Sequence, residues 1–148
     1  MKIEYSNIYI HFVFSTLDRF PVILEKNRQR IEKYMTGIIN NNGCHLYAIY
    51  ANPEHVHFLV SLFSDIDTER LATIIADSSE KFINENKLCV GMFQWQRSCS
   101  AFSVSKRDID KVCKYILDQS EHHKKYDYSY EYDKFVKFYQ QTINKNKK

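Results

Sequence analysis

The stretch ANPEHVHFLVSLF, residues 51–63, predicts a turn followed by a strand. Its first four residues have the composition of a tight turn, and the run that follows has the length and alternation of a strand. Side chains of a strand point alternately to its two faces, so His55 and His57 share one face while Val56 and Phe58 point to the other. The apolar side must face the core. The apolar run at 44–50 would pair with this strand through the turn, as a hairpin.

Periodic patterns extend from this hairpin in both directions. Residues 7–15 alternate as a strand, and residues 21–40 and 68–86 carry apolar side chains at helical spacing. Residues 92–104 read as an extended, aromatic-rich stretch, and a capping box at 105–108 opens one more amphipathic helix. The order strand, helix, strand, strand, helix, strand is that of a ferredoxin-like antiparallel sheet. We therefore expect an α+β fold with both early helices on one face, a final helix, and a second sheet face left open.

Length and composition fit a single domain. The chain has 148 residues, of which 44% are hydrophobic, and a formal net charge of +3. No linker interrupts the first 125 residues, so we expect one domain over residues 1–148, with a frayed tail from about residue 141. The weak positive charge only hints at a polyanionic partner. Because no secretory signal or membrane-length apolar run is present, we expect a cytoplasmic protein of a bacterial or archaeal cell without membrane contact.

The two histidines of the strand are candidate metal ligands. Their separation, one strand repeat, suits two imidazoles that bind one divalent cation, and imidazole is a common transition-metal ligand. Taken alone, two histidines on a solvated sheet face are more often ordinary polar surface. On the last predicted helix, Tyr115, Gln119 and His122 form a polar stripe at spacing i, i+4, i+7. A tyrosine in that position is also explained as an aromatic residue at the edge of the core.

Four blocks of the chain resemble the single-tyrosine transposases of insertion sequences, a family that includes REP-associated tyrosine transposases. Residues 52–60, NPEHVHFLV, resemble the family's HUH motif of histidine, hydrophobic residue, histidine. The later blocks WQ at 95–96, AFSVS at 101–105 and KYILDQSEHH at 114–123 follow in the family's order. The resemblance covers roughly residues 5–135. One departure is the pair Ser98-Cys99, which stands where many relatives carry Gly-Tyr.

The resemblance implies a DNA transposase that cleaves and rejoins single-stranded DNA at hairpin-bearing ends through a 5′-phosphotyrosine. Carried over to this chain, Tyr115 is the nucleophile, and His55, His57 and Gln119 hold Mg²⁺ or Mn²⁺. No nucleotide cofactor is expected, because a phosphotyrosine keeps the energy of the broken bond and the chain lacks a phosphate-binding Gly-rich loop. The general base is unassigned, with His122 and a metal-bound water as candidates. The resemblance also implies a homodimer in which the tyrosine helix of one subunit completes the partner's metal site.

Other residues are candidates for supporting roles. Tyrosines further along the chain are competing nucleophiles, but none precedes an amide by one helical turn: Tyr126, Tyr128, Tyr130 and Tyr132. Candidate DNA contacts are basic residues before and along the last helix: Arg97, Lys106, Arg107, Lys111 and Lys114. Trp95 or Phe93 would stack on an unpaired base. His11 lies on the polar face of the first strand, which in a ferredoxin-like sheet neighbours the His-x-His strand, so an approach to the metal is one alternative. We expect an ordinary polar-face residue instead, because three ligands are already named.

Two alternative functions remain open on the sequence. Ferredoxin-like sheets also bind single-stranded RNA without catalysis, and Tyr9, Tyr47 and His57 would then be stacking surfaces of a non-catalytic single-stranded nucleic-acid-binding module. A domesticated relative that serves its host is the second alternative. Imperfect hairpins in the DNA on both sides of the gene would indicate a mobile element instead.

Overall fold

The computed structural model describes residues 1–63 and 65–120, and the chain divides into two compact units, Met1–Leu117 and Asp118–Lys148. The expectation of one domain over 1–148 stays a prediction. The strands described in the first unit are β1 (Ile8–Ser15), β2 (His45–Ala51), β3 (His55–Leu62) and β4 (Ser100–Val104). Its described α-helices are α1 (Glu25–Asn41), α2 (Thr68–Glu85) and α3 (Ile109–Leu117).

The four strands form one antiparallel sheet in the order β2-β3-β1-β4. Together with the chain order β1-α1-β2-β3-α2-β4, this is the ferredoxin-like topology, so the predicted α+β fold class is confirmed. β1 and β3 are the two central strands, and both carry near-continuous buried runs. The hairpin predicted around residues 51–54 is the β2-β3 connection.

The helices α1 and α2 cover one face of the sheet, as the sequence predicts. Phe12 of β1 and Phe58 of β3 are fully buried on this face and stack with ring centroids 5.1 Å apart. Ile31 of α1 and Ile75 of α2 are fully buried in the same core. Within residues 1–63 and 65–120, no helix combines the length and the apolar character needed to cross a membrane.

The predicted strand at 92–104 is too long. Only Ser100–Val104 pairs with β1, and Trp95 makes an isolated bridge to Thr16. The cause is a competing set of partners on α2. The backbone N–H of Phe93 donates to Asn84 Oδ1 at 2.7 Å, and Asn84 Nδ2 donates to the Phe93 carbonyl at 3.0 Å. Backbone groups bonded to a helix side chain in this way do not extend the sheet.

The second face of the sheet is not open, which corrects the sequence prediction. α3 lies across it, and Ile116 is fully buried in a second apolar cluster with Tyr9, Leu59 and Val104. The apolar stripe of α3 requires a surface on which to be buried, and the polar face of the sheet contains enough apolar side chains to supply one. This second layer determines the surroundings of the histidines.

The predicted capping box at 105–108 is only partly formed. Ser105 Oγ donates to the Asp108 carboxylate at 3.3 Å, and no side-chain cap bonds a backbone N–H there. The chain enters α3 through a single 3-10 turn, Lys106–Asp108, because the Asp108 N–H donates to the Ser105 carbonyl at 2.9 Å.

Candidate active site

The turn that precedes the His-x-His motif is held in place by the end of β1. The backbone N–H of Thr16 donates to the Glu54 carbonyl at 3.0 Å. The Thr16 hydroxyl donates to the Phe20 carbonyl at 2.8 Å and has the Glu54 carbonyl as a more distant second acceptor at 3.2 Å. Within the turn, the Asn52 N–H donates to the His55 carbonyl at 2.8 Å. Side chains placed on such a fixed backbone keep a defined geometry, which a catalytic site requires.

His55 is fully buried at the start of β3 and has a polar neighbour on each side of its ring. Its Nδ1 lies 3.0 Å from Glu54 Oε1, and its Nε2 lies 3.2 Å from Asn52 Nδ2. Both of these neighbours are themselves buried. The imidazole is therefore oriented by a carboxylate and an amide rather than by solvent.

His57, two residues further along β3, is also buried and meets a third histidine. Val13 of β1 pairs with His57, and His11 lies two positions away on the same face of the sheet. The rings of His11 and His57 meet with His11 Nε2 2.9 Å from His57 Nδ1. Burial of His11, and then the positive charge that His57 would carry when protonated, lower the pKa of His11 well below its ordinary value.

Tyr115 is placed beside these histidines by α3. Its ring centroid lies 5.8 Å from that of His57 and 6.4 Å from that of His11, both in edge-on arrangements. The neighbouring Ile116 anchors the helix in the second apolar cluster. The structure therefore brings together the predicted nucleophile and one of the predicted metal ligands within a single chain.

Gln119, the third predicted ligand, belongs to the second unit, where its side chain is buried. Its place in a metal site stays a prediction. The described α3 ends at Leu117, so the predicted stripe of Tyr115, Gln119 and His122 is not seen as one helix face. The candidate base and the competing tyrosines lie outside the described residues: His122, Tyr126, Tyr128, Tyr130 and Tyr132.

The predicted DNA-contacting residues divide into two groups. Lys106, Arg107, Lys111 and Lys114 are exposed along the 3-10 turn and α3. Arg97 is also exposed, but its guanidinium donates to Glu80 Oε1 at 2.7 Å, so part of its charge is neutralised. Contact of all five residues with DNA stays a prediction.

The prediction that Trp95 or Phe93 stacks on an unpaired base is wrong. Both rings are buried in the first core, in contact with each other at a centroid distance of 4.8 Å. Trp95 Nε1 donates to Ser79 Oγ of α2 at 2.9 Å. A buried aromatic ring whose polar atom already has a partner has no free face for a base.

The residues of the site supply only some of the ligands that a metal ion needs. The imidazoles of His55 and His57 lie with centroids 4.9 Å apart and offer two nitrogen ligands from one side of β3. Within residues 1–63 and 65–120, no group of three or more His, Cys, Asp and Glu residues is arranged to hold a metal. The predicted third ligand, the amide of Gln119, is not of these four residue types and stays a prediction.

Three residues of the site were not predicted from the sequence: His11, Glu54 and Asn52. The expectation that His11 is an ordinary polar-face residue is wrong, because its ring is fully buried against His57. The available signal was its position on the polar face of the strand expected to neighbour the His-x-His strand. Glu54 and Asn52 gave no signal, since turn residues of these types usually only shape the turn.

Comparisons with known proteins point in one direction. The sequence model of a family described as "Transposase IS200 like" matches residues 4–119. A Deinococcus radiodurans R1 structure described as that of a transposase superposes with a TM-score of 0.62 at 18% identity, covering 80% of this chain and 96% of its own. The structure of a REP-associated tyrosine transposase bound to a REP hairpin superposes with a TM-score of 0.60 at 17% identity, covering 82% and 74%. No curated protein matches the chain. At these identities the two structures establish a shared fold.

Proposed function

The chain belongs to the IS200-like transposase family, and from this premise we propose that it cleaves and rejoins single-stranded DNA through Tyr115. The observation that carries the proposal is the position of the Tyr115 ring, 5.8 Å from His57 in a layer closed by α3. A tyrosine that served only the edge of the core would not need two buried histidines beside its ring, His57 and His11. Here the phenol and the imidazoles converge from separate elements, α3, β3 and β1.

The proposed chemistry is a transesterification. The phenolic oxygen of Tyr115 bonds to the scissile phosphorus while the bond from phosphorus to the 3′ oxygen breaks. The phenol loses its proton, the departing 3′ oxygen gains one, and the 5′ phosphate remains on the protein as a phosphotyrosine. Attack by the 3′ hydroxyl of another strand reverses these steps, so rejoining needs no nucleotide cofactor.

His55, His57 and Gln119 are the residues proposed to hold a Mg²⁺ or Mn²⁺ ion. Such an ion supplies positive charge at the scissile phosphate and at the departing oxygen. The burial and ordered hydrogen bonding of the two imidazoles support their assignment, because rings with fixed orientations bind a cation without further ordering. An ordinary tyrosine has a pKa of about 10, so Tyr115 also needs a base, which is left unassigned.

The proposed substrate is single-stranded DNA with hairpin ends, in the cytoplasm. The REP-associated tyrosine transposase of similar fold is described as bound to a REP hairpin, which supports DNA of this shape. The exposed basic residues along the 3-10 turn and α3, with Arg97, are proposed to contact the phosphates: Lys106, Arg107, Lys111 and Lys114.

We propose that Tyr115 acts with the histidines of its own chain. The proximity of its ring to His57 within the first unit supports this assignment. It differs from the shared site that the resemblance implies. A homodimer stays part of the proposal. In this assembly, each subunit would use its own Tyr115 together with its own two motif histidines.

The non-catalytic alternative is poorly supported. It requires aromatic side chains on an exposed sheet face, and two of the three rings named for it, Tyr9 and His57, are buried. Tyr47 alone of these three keeps an exposed side chain, at 39%. A domesticated relative would share the proposed chemistry, and hairpins beside the gene distinguish it from a mobile element.

Cleavage of a matched oligonucleotide tests the proposal. The probe is single-stranded DNA copied from the flank of the gene, including its imperfect hairpin, with Mg²⁺ or Mn²⁺ present. We expect cleavage by the wild type, none by Tyr115→Phe, and none after addition of a chelator. Tyr34→Phe, on α1 and the opposite sheet face, is the control and should cleave normally. Cleavage by Tyr115→Phe at the wild-type rate would overturn the assignment.

A further inference from the structure

The hydrogen bonds of the two motif histidines constrain which ring nitrogen carries the proton. A neutral imidazole has one N–H and one lone pair, and only the nitrogen with the lone pair binds a metal. In the proposed function, each histidine must therefore keep one nitrogen unprotonated on the side of the cation. The other nitrogen is then the N–H donor to a partner within the protein.

For His55, both neighbours indicate the same tautomer. The Glu54 carboxylate can only accept, so the Nδ1 that lies 3.0 Å away carries the hydrogen. The Asn52 amide nitrogen can only donate, so the Nε2 that lies 3.2 Å away accepts with its lone pair. The lone pair that now receives the Asn52 amide is the one a cation would use.

For His57, the partner is the imidazole of His11. Across the 2.9 Å contact between His57 Nδ1 and His11 Nε2, one nitrogen donates and the other accepts. If His57 donates, its own Nε2 keeps a lone pair. If His11 donates, the proton of His57 must be on Nε2, and that nitrogen cannot bind a cation. A metal site at His57 Nε2 therefore requires His11 to be the acceptor.

We propose that His11 and Glu54 are positioning residues that hold His57 and His55 in the tautomer protonated at Nδ1, so that the Nε2 atom of each ring keeps the lone pair that a cation would bind. The inference rests on the proposed metal-dependent function. It adds residues from β1 and from the β2-β3 turn to the machinery, and neither one contacts substrate. Carboxylate and imidazole acceptors behind a metal-binding histidine fix its ring and increase its basicity, and loss of such partners costs about 10- to 100-fold in metal affinity.

Nitrogen-15 spectroscopy of histidine-labelled, metal-free protein tests the tautomers directly. Long-range proton-nitrogen spectra distinguish a protonated Nδ1 from a protonated Nε2 for each ring. We expect Nδ1–H for both His55 and His57, and a tautomer mixture for exposed His45, the internal reference. Resonances are assigned by loss of a signal in single histidine variants. A proton on Nε2 of His57 in the wild type would overturn the role of His11, and the same result for His55 would overturn that of Glu54.

Manganese affinity of folded variants is the second readout. His11→Leu removes the acceptor, whereas His11→Gln places an amide oxygen where Nε2 was, so we expect Mn²⁺ binding to weaken about 10- to 100-fold in the first and to recover in the second. Glu54→Leu and Glu54→Gln form the same comparison for His55. Wild-type affinity in folded His11→Leu contradicts the positioning role. If the wild type itself binds no Mn²⁺ while its tautomers are as expected, the proposed function fails and the tautomer assignment stands.

Discussion

Individual side chains around β3 show what alternation can and cannot predict. The two-residue repeat of side-chain direction in a strand correctly places His55 and His57 on one face and Val56 and Phe58 in the first core. It does not reveal the contact with His11, which lies 46 positions earlier in the chain. That contact depends on the register between β1 and β3, in which Val13 faces His57. Register follows from packing and turn geometry and is only weakly encoded in one strand.

Replacement of His57 by alanine should abolish cleavage and leave most hairpin binding intact. The change removes a proposed ligand, whereas DNA affinity depends mainly on contacts between basic side chains and phosphates. His55→Ala should behave in the same way. Cleavage and electrophoretic mobility shift assays measure the two properties separately. His45→Ala, an exposed histidine on β2, is the matched control and should keep both. A His57→Ala protein that cuts at the wild-type rate would exclude this histidine from the chemistry.

The single tryptophan reports on the buried position of residue 95. We expect blue-shifted emission that does not change when single-stranded DNA binds, because the ring lies inside the first core. Trp95→Phe should leave DNA affinity unchanged, whereas loss of a base-stacking ring would cost about 1–3 kcal/mol, roughly 5- to 150-fold in affinity. Fluorescence titration and binding isotherms measure both. Strong quenching by DNA together with weaker binding of the variant would restore the stacking role.

Among the secondary-structure elements, the strongly periodic ones were predicted well. The predicted helices at 21–40 and 68–86 correspond to Glu25–Asn41 and Thr68–Glu85. The predicted strand at 92–104 was too long, because the backbone of Phe93 bonds to the side chain of Asn84 and that of Trp95 to Glu80, partners that local pattern does not reveal. The position of α3 was missed for a related reason. Amphipathicity shows that a helix buries one side, but not which surface it covers.

Truncation of Ile116 tests whether α3 covers the histidine face. Ile116→Ala truncates a fully buried side chain in the cluster that also contains Tyr9 and Leu59, and such changes cost about 2–5 kcal/mol. Leu117→Ala, the same kind of change at the next and exposed position, should cost less than about 0.5 kcal/mol. Hydrogen exchange of the α3 amides measures local opening, and denaturant unfolding measures the global effect. If the α3 amides were equally protected from hydrogen exchange in the two variants, α3 would not rest on this face.

At the scale of the whole molecule, the ring of Tyr115 lies beside that of His57 within a single chain. If Tyr115 acts with its own His57, a mixture of Tyr115→Phe and His57→Ala proteins stays inactive, even when differently tagged subunits are shown to exchange. A shared site would instead regain one functional centre in each mixed dimer. Cleavage assays on the mixture, with each parent alone as control, separate these cases. Recovery of cleavage would contradict the own-chain assignment.

The central claim is that Tyr115 forms the covalent bond to DNA, and mapping of the trapped adduct tests it most directly. Trypsin cleaves after Lys114 and Lys124, so peptide 115–124 contains Tyr115 and no other tyrosine. The next tyrosines fall in peptide 126–134. Wild-type protein is incubated with the hairpin oligonucleotide and a divalent metal, digested, and analysed by mass spectrometry. We predict a 5′-phosphorylated DNA fragment on peptide 115–124, absent in Tyr115→Phe. An adduct on peptide 126–134, or cleavage without any adduct, would contradict the account.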